Sequence, residues 1–89
     1  MARRRLRIVN VKGLHARASA RLVEVVERFE ARATVRKDGL ETSGDSIMGL
    51  LMLAASNGSW IEVETEGPEA EPLADAIAAL VADRFGEGD

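Results

Sequence analysis

With 89 residues, 46% of them hydrophobic, and a net charge of −3, the chain has material for one domain, residues 1–89, with an economical core. It contains no cysteine, which excludes disulfides and thiolate zinc sites and suits a reducing compartment. No run of about eighteen apolar residues occurs, and the basic start MARRRLRIVN lacks the apolar core and cleavage site of a signal peptide, so a cytoplasmic protein with no membrane span is expected.

The chain opens with RLRIVNV, Arg5 to Val11, rich in β-branched residues and alternating through Leu6 and Ile8. That pattern predicts a strand. Gly13 breaks it, and a helical period follows from Ala16 to Phe29. Leu22, Val26 and Phe29 form one stripe with Ser19 and Val23 beside it, and Arg17, Arg21, Glu24 and Arg28 fall on the wet face. ARATVRKDGLETSG returns to a period of two, with Ala33 and Val35 inward and Arg32, Thr34 and Arg36 outward. Asp38-Gly39 marks a tight hairpin, and the return strand runs from Leu40 to Ser43. Asp45 or Ser46 caps a short helix from Ile47 to Ala55, apolar on nearly every side. WIEVETEG is a strand with Ile61 and Val63 inward and Glu62, Glu64 and Glu66 outward. A last helix follows, with Ala70, Leu73, Ala74, Ile77, Leu80 and Val81 marking its inner side and Pro72 in its first turn. The tail FGEGD is expected to fray. The order β-α-β-β-α-β-α predicts an α+β fold, an open-faced two-layer sandwich with a four-stranded antiparallel sheet and three helices on one face.

The only histidine, His15, stands at the mouth of the first helix. A lone histidine beside an apolar stripe is ordinarily a packing or surface residue. Metal binding is disfavoured, because no second histidine or cysteine is present to share a cation. A hydrolytic arrangement is also poor: Ser46 has Asp45 beside it, but no nucleophile elbow surrounds it. Phosphoryl chemistry fits better. A helix N-terminus presents free N–H groups and partial positive charge, which bind phosphate. Arg17 adds a planar fork of donors, and Gly13 lets the backbone turn so that the ring faces water. Together these describe a histidine that can accept a phosphoryl group and release it.

GLHARASA, followed further on by SIMGLLMLAAS, resembles the HPr family of phosphocarrier proteins of the bacterial phosphotransferase system. The resemblance covers essentially the whole chain. It implies that His15 is phosphorylated by phosphoenolpyruvate-charged enzyme I, at Nδ1, and passes the group to a IIA-type protein. Arg17 is then the phosphate-side arginine, and Ser46 is the regulatory serine modified by HPr kinase/phosphorylase. A monomer with no cofactor, metal, membrane or nucleic-acid partner is expected. Where proline commonly follows the family arginine, this chain has Ala18, then Ser19. HARASA with MGLLMLAAS is more similar to the nitrogen-type or alphaproteobacterial branch, whose members mainly serve regulation.

Ser46 has a plainer role as a helix cap. Ile47, Met48, Leu50, Leu51 and Met52 are mostly core by count, with Ile47, Leu51 and Met48 forming an apolar docking patch for partners, to which flexible methionine is suited. Two alternatives stand beside the carrier. One is a regulatory binding module controlled by phosphorylation at Ser46 that relays no phosphate. The other is a nucleic-acid binder using the basic run Arg3 to Arg7, although there is little aromatic surface to stack on bases.

Overall fold

The structure is a computed structural model that describes residues 1–87. Strand β1 (Ala2–Arg7) is followed by helix α1 (Ala16–Glu27), the hairpin β2 (Arg32–Lys37) and β3 (Leu40–Ser43), and helix α2 (Ile47–Met52). Strand β4 (Trp60–Glu66), helix α3 (Ala70–Ala82) and one 3-10 turn (Arg84–Gly86) complete it. The sheet order is β1-β4-β2-β3, antiparallel throughout. This is the expected open-faced sandwich with the expected order of elements. Asp38 and Gly39, both at positive φ (50° and 82°), make the predicted hairpin, whose backbone twist demands that conformation.

Several boundaries differ from expectation: α1 ends at Glu27 rather than Phe29, and the larger differences have clear physical reasons. The first strand occupies Ala2–Arg7 rather than Arg5 to Val11. Its inward side reads Ala2, Arg4, Leu6, with Ile8 continuing into the core. Arg4 escapes a pattern search because a guanidinium is tolerated there: it reaches Glu71 and Asp75 of α3, each at 3.0 Å. Beyond Arg7 the chain turns away, leaving Val9 and Val11 exposed. The tail also departs from the expected fraying. Phe85 is fully buried in the core, while the expectation for Gly88 and Asp89 lies outside the described residues.

The core lies between the sheet and the helices, built from Ile8, Leu22, Val35, Leu50, Ile61, Val63, Leu73, Ile77 and Phe85. Gly49 lets α2 approach β3, since a Cβ there would sit 1.8 Å from the Thr42 hydroxyl. The opposite face of the sheet is a ladder of alternating charge. Arg36 binds Glu64 at 2.8 Å and Glu41 at 2.9 Å, Arg3 lies 3.8 Å from Glu64, and Arg5 stacks over Trp60 at 4.6 Å. The hydrogen bond from Arg36 holds the Glu64 carboxyl below the usual carboxylate range, against the opposing effect of burial. The basic start of the chain is thus matched by acids at close range.

Helix α2 stops at Met52 rather than Ala55, its last amides tightening to the carbonyls three residues back. Ala54 then takes a left-handed φ of 52°, which disfavours any residue with a Cβ. Ala54→Gly is expected to raise stability by about 0.5–1 kcal/mol, the relief of strain exceeding the added entropy of the unfolded chain. Urea unfolding checks this: the midpoint should rise at unchanged slope, and a fall would mean that the left-handed turn carries no strain.

Candidate functional site

The loop from Ile8 to His15 is held at both sides. Ile8 is tied to the loop after α2 by its N–H to Ser59 C=O (2.8 Å) and by Gly58 N–H to its own carbonyl (2.7 Å). The Leu14 N–H then donates to Ala55 C=O at 2.8 Å. Gly13, at φ +65°, packs so closely that a Cβ would lie 2.4 Å from the Ala55 oxygen and 2.8 Å from Ser56 Cα. Both are backbone atoms and cannot yield. This clamp delivers His15 to the N-cap position of α1 in extended backbone (φ −78°, ψ −176°), where its side chain makes no capping bond. The first intrahelical bond runs from Ser19 N–H to His15 C=O. The amides of Ala16, Arg17 and Ala18 therefore have no intrahelical acceptor, and those of the exposed Ala16 and Arg17 lie at the open end of the helix with its dipole behind them, while Ala18 is fully buried. Alanine at position 18 contributes an N–H that a proline would lack.

The His15 side chain is 27% exposed, less open to water than a bare loop would leave it. Its Nε2 lies 2.6 Å from Glu87 Oε2. Glu87 Oε1 in turn accepts from Asn10 Nδ2 at 2.8 Å, and Asn10, fully buried, gives its other N–H to Gly13 C=O, also at 2.8 Å. The Asn10 amide first, and the His15 ring after it, hold the Glu87 carboxyl below its ordinary range while burial works against them. Neither Glu87 nor Asn10 was predicted from sequence. In the sequence Asn10 belongs to the expected first strand, and Glu87 to the tail expected to fray. The signal available was Phe85, a lone aromatic in a polar tail, which anchors the segment.

Arg17 sits two residues into the helix, exposed and with no salt bridge among the described residues, so its fork of donors is available. Arg21 is not simply on the wet face as expected, because its guanidinium donates to the Phe85 carbonyl. Ser19 is buried and its hydroxyl donates back to Leu14 C=O at 3.3 Å, bracing the helix start at which Ala18 replaces the family proline. Ser46 is half-buried and caps α2, its Oγ accepting the Gly49 N–H at 3.0 Å. Around it Ile47 (40%) and Met48 (70%) are exposed, as is Met52 (74%), which counting had assigned to the core. Leu51 is half-buried and Leu50 is the residue that fills the core. The patch is therefore Ile47, Met48 and Met52 with Leu51 beneath. Helix α2 packs on α1, and the Leu14–Ala55 hydrogen bond joins its trailing end to the His15 loop. Among the described residues, neither Arg17 nor Ser46 hydrogen-bonds the His15 ring.

A family model described as the PTS HPr component phosphorylation site matches residues 2–83. The chain belongs to the HPr family. The phosphocarrier protein HPr of Cupriavidus necator is 44% identical over the full length of both chains. The phosphocarrier protein NPr of Escherichia coli K12 is 40% identical over 90% of each, which is consistent with the nitrogen-type branch. In three dimensions the chain superposes on a crystal structure of HPr-C-His from Thermoanaerobacter tengcongensis with a TM-score of 0.94, at 32% identity and covering all of both chains. It is accordingly a phosphocarrier-type protein of the phosphotransferase system.

Gly13→Ala tests whether the HPr site depends on the clamp. The left-handed backbone alone costs about 1–2 kcal/mol, and the collision with Ala55 must displace the loop. Urea unfolding should show at least that loss. Heteronuclear NMR should show shifts concentrated at residues 13–19 and 54–57, and a spectrum unchanged there would refute the clamp.

Proposed function

We propose that this chain is a histidine phosphocarrier in which His15 accepts a phosphoryl group from phosphoenolpyruvate-charged enzyme I and hands it to a IIA-type protein in the cytoplasm. The observation that carries this reading is the position of His15 at the open N-terminus of α1, with the exposed Arg17 beside it making no salt bridge among the described residues. Outward amides and the helix dipole favour the phosphoryl oxygens. The Arg17 guanidinium adds charge-assisted contacts while charge builds up in transfer. The exposed apolar residues Ile47, Met48 and Met52, with Leu51, form the surface on which partners dock. Residues 1–89 act as one domain and as a monomer.

In a single-turnover assay with phosphorylated enzyme I, His15→Ala should take no acid-labile label and keep its fold, because the ring contributes little to the core. Arg17→Ala should slow transfer roughly ten- to a hundredfold, the worth of a hydrogen bond to a charged group. Arg17→Lys should recover part of it, since a point charge cannot reproduce the fork. Three equal rates for wild type and the two Arg17 variants would make that residue a bystander, and label on His15→Ala would remove the site altogether.

The second reading, a module governed by HPr kinase/phosphorylase at Ser46, draws support from the half-buried Ser46 standing next to the exposed Ile47 and Met48 of the apolar patch. Ser46→Asp should preserve the fold, because aspartate caps helices as well as serine does. It should weaken transfer from enzyme I by placing a charge at the rim of the docking surface. Calorimetric titration with enzyme I measures this directly, and unchanged affinity would separate Ser46 from docking.

A further inference from the structure

The segment that ends at Glu87 is built at some cost. Arg84, Phe85 and Gly86 all adopt left-handed backbone (φ 56°, 56° and 73°), which only glycine takes without strain. The fully buried Phe85 ring holds the turn in place. Arg21 closes over it, donating to the Phe85 carbonyl and lying 2.5 Å from where a Cβ on Gly86 would be. The turn brings the Glu87 carboxylate between Asn10 Nδ2 and His15 Nε2, at 2.8 Å and 2.6 Å. Asn10 spends both N–H groups here, and its own Oδ1 is buried with no hydrogen-bond partner among the described residues. Two residues in strained backbone, Arg84 and Phe85, therefore lead directly into the contact with the His15 ring. Strain concentrated beside a reactive group points to a functional role.

An ionised carboxylate can only accept hydrogen bonds. When the imidazole is neutral, its single N–H must therefore lie on Nε2, facing Glu87, and Nδ1 keeps its lone pair. Resting on the phosphocarrier reading, we propose that Glu87, seated by Asn10, is a positioning residue for His15: it fixes the ring so that Nδ1 is the nucleophile and supports the positive charge the ring acquires while phosphorylated. In the transfer, the Nδ1 lone pair forms the new N–P bond and the electron pair of the breaking P–N bond returns to the donor nitrogen. No proton leaves His15. The phosphorylated ring carries one positive charge, shared with the Nε2–H that Glu87 accepts, much as a buried carboxylate supports the imidazolium of a hydrolase triad. Onward transfer reverses the sequence. Arg17 and the amides of α1 meet the phosphoryl group, and Glu87 meets the other nitrogen of the ring. The opposing possibility is that the carboxylate merely repels the incoming phosphate, in which case its removal would speed the reaction.

Potassium phosphoramidate, a small P–N donor that needs no partner protein, separates these outcomes. Wild type, Glu87→Gln and Glu87→Ala, each labelled with 15N, are phosphorylated with it while the imidazole nitrogens are followed by NMR. The wild type should show a persistent Nε2-bound proton before and after phosphorylation of His15. Glu87→Ala should lose that persistent signal and phosphorylate about tenfold more slowly or worse, with Glu87→Gln, which keeps size and an acceptor oxygen, in between. Equal or faster phosphorylation of both variants, with the Nε2–H signal unchanged, overturns the role of Glu87 and leaves the carrier reading intact. If Glu87→Ala fails to fold, the glutamine variant decides alone. A wild type that takes no phosphoryl group on His15 would instead overturn the carrier reading, and this inference with it.

Discussion

The hydrogen bond from Leu14 N–H to Ala55 C=O, 2.8 Å long, joins the loop before α1 to the end of α2, and it forms only because Gly13 has no side chain to stand against that carbonyl. The position of His15 at the helix mouth follows from this contact. So does the proximity of the α2 patch, since Ala55 is reached through the left-handed turn at Ala54. Asn10 joins the same arrangement from beneath, holding Gly13 by its carbonyl and being held in turn by Asn57, whose amide donates to the Asn10 carbonyl at 3.1 Å. A site assembled from three separate stretches of chain is thereby fixed largely by backbone groups, which have fewer ways to drift than side chains.

What was legible in the sequence was whatever rests on local period. The Asp38-Gly39 hairpin, the apolar stripe of α1 and the alternation of β4 were all readable, because each is set by spacing and turn chemistry. His15 and Arg17 were legible because a helix start is itself a local feature. The errors occur where a distant partner changes the meaning of a residue. Arg4 lies on the inward side of β1 because Glu71 and Asp75 wait for it on α3. Glu64, read as outward and wet, is only 9% exposed because arginines from neighbouring strands cover it. Asn10 and Glu87 were invisible for the same reason, being 77 residues apart.

The uneven charge of the chain also acquires a physical meaning. Basic β1 lies directly against acidic β4, with Arg3 opposite Glu64 and Arg5 opposite Glu62. Arg36 then bridges from β2 to Glu64 and Glu41. The signs that are segregated along the sequence become interleaved in space. A face of this kind has no single-sign field to attract a polyanion, which weakens the case for nucleic-acid binding that the arginine run alone had raised.

The pairing of early with late residues has a consequence for how the molecule comes to exist. Strand β1 matches Ala2 with Thr65 and Arg7 with Trp60, and the His15 seat is completed by a residue 72 positions further on. Loops of that span are closed at an entropic cost before any contact returns it, and folds rich in such contacts form more slowly than helical bundles. During synthesis the amino-terminal half emerges with β1 unpaired and with neither Phe85 nor Glu87 yet available. A nascent or truncated chain can therefore carry the whole HARASA motif and still lack the surroundings of its histidine. Synthesis as far as Glu87 is itself the checkpoint for the His15 seat.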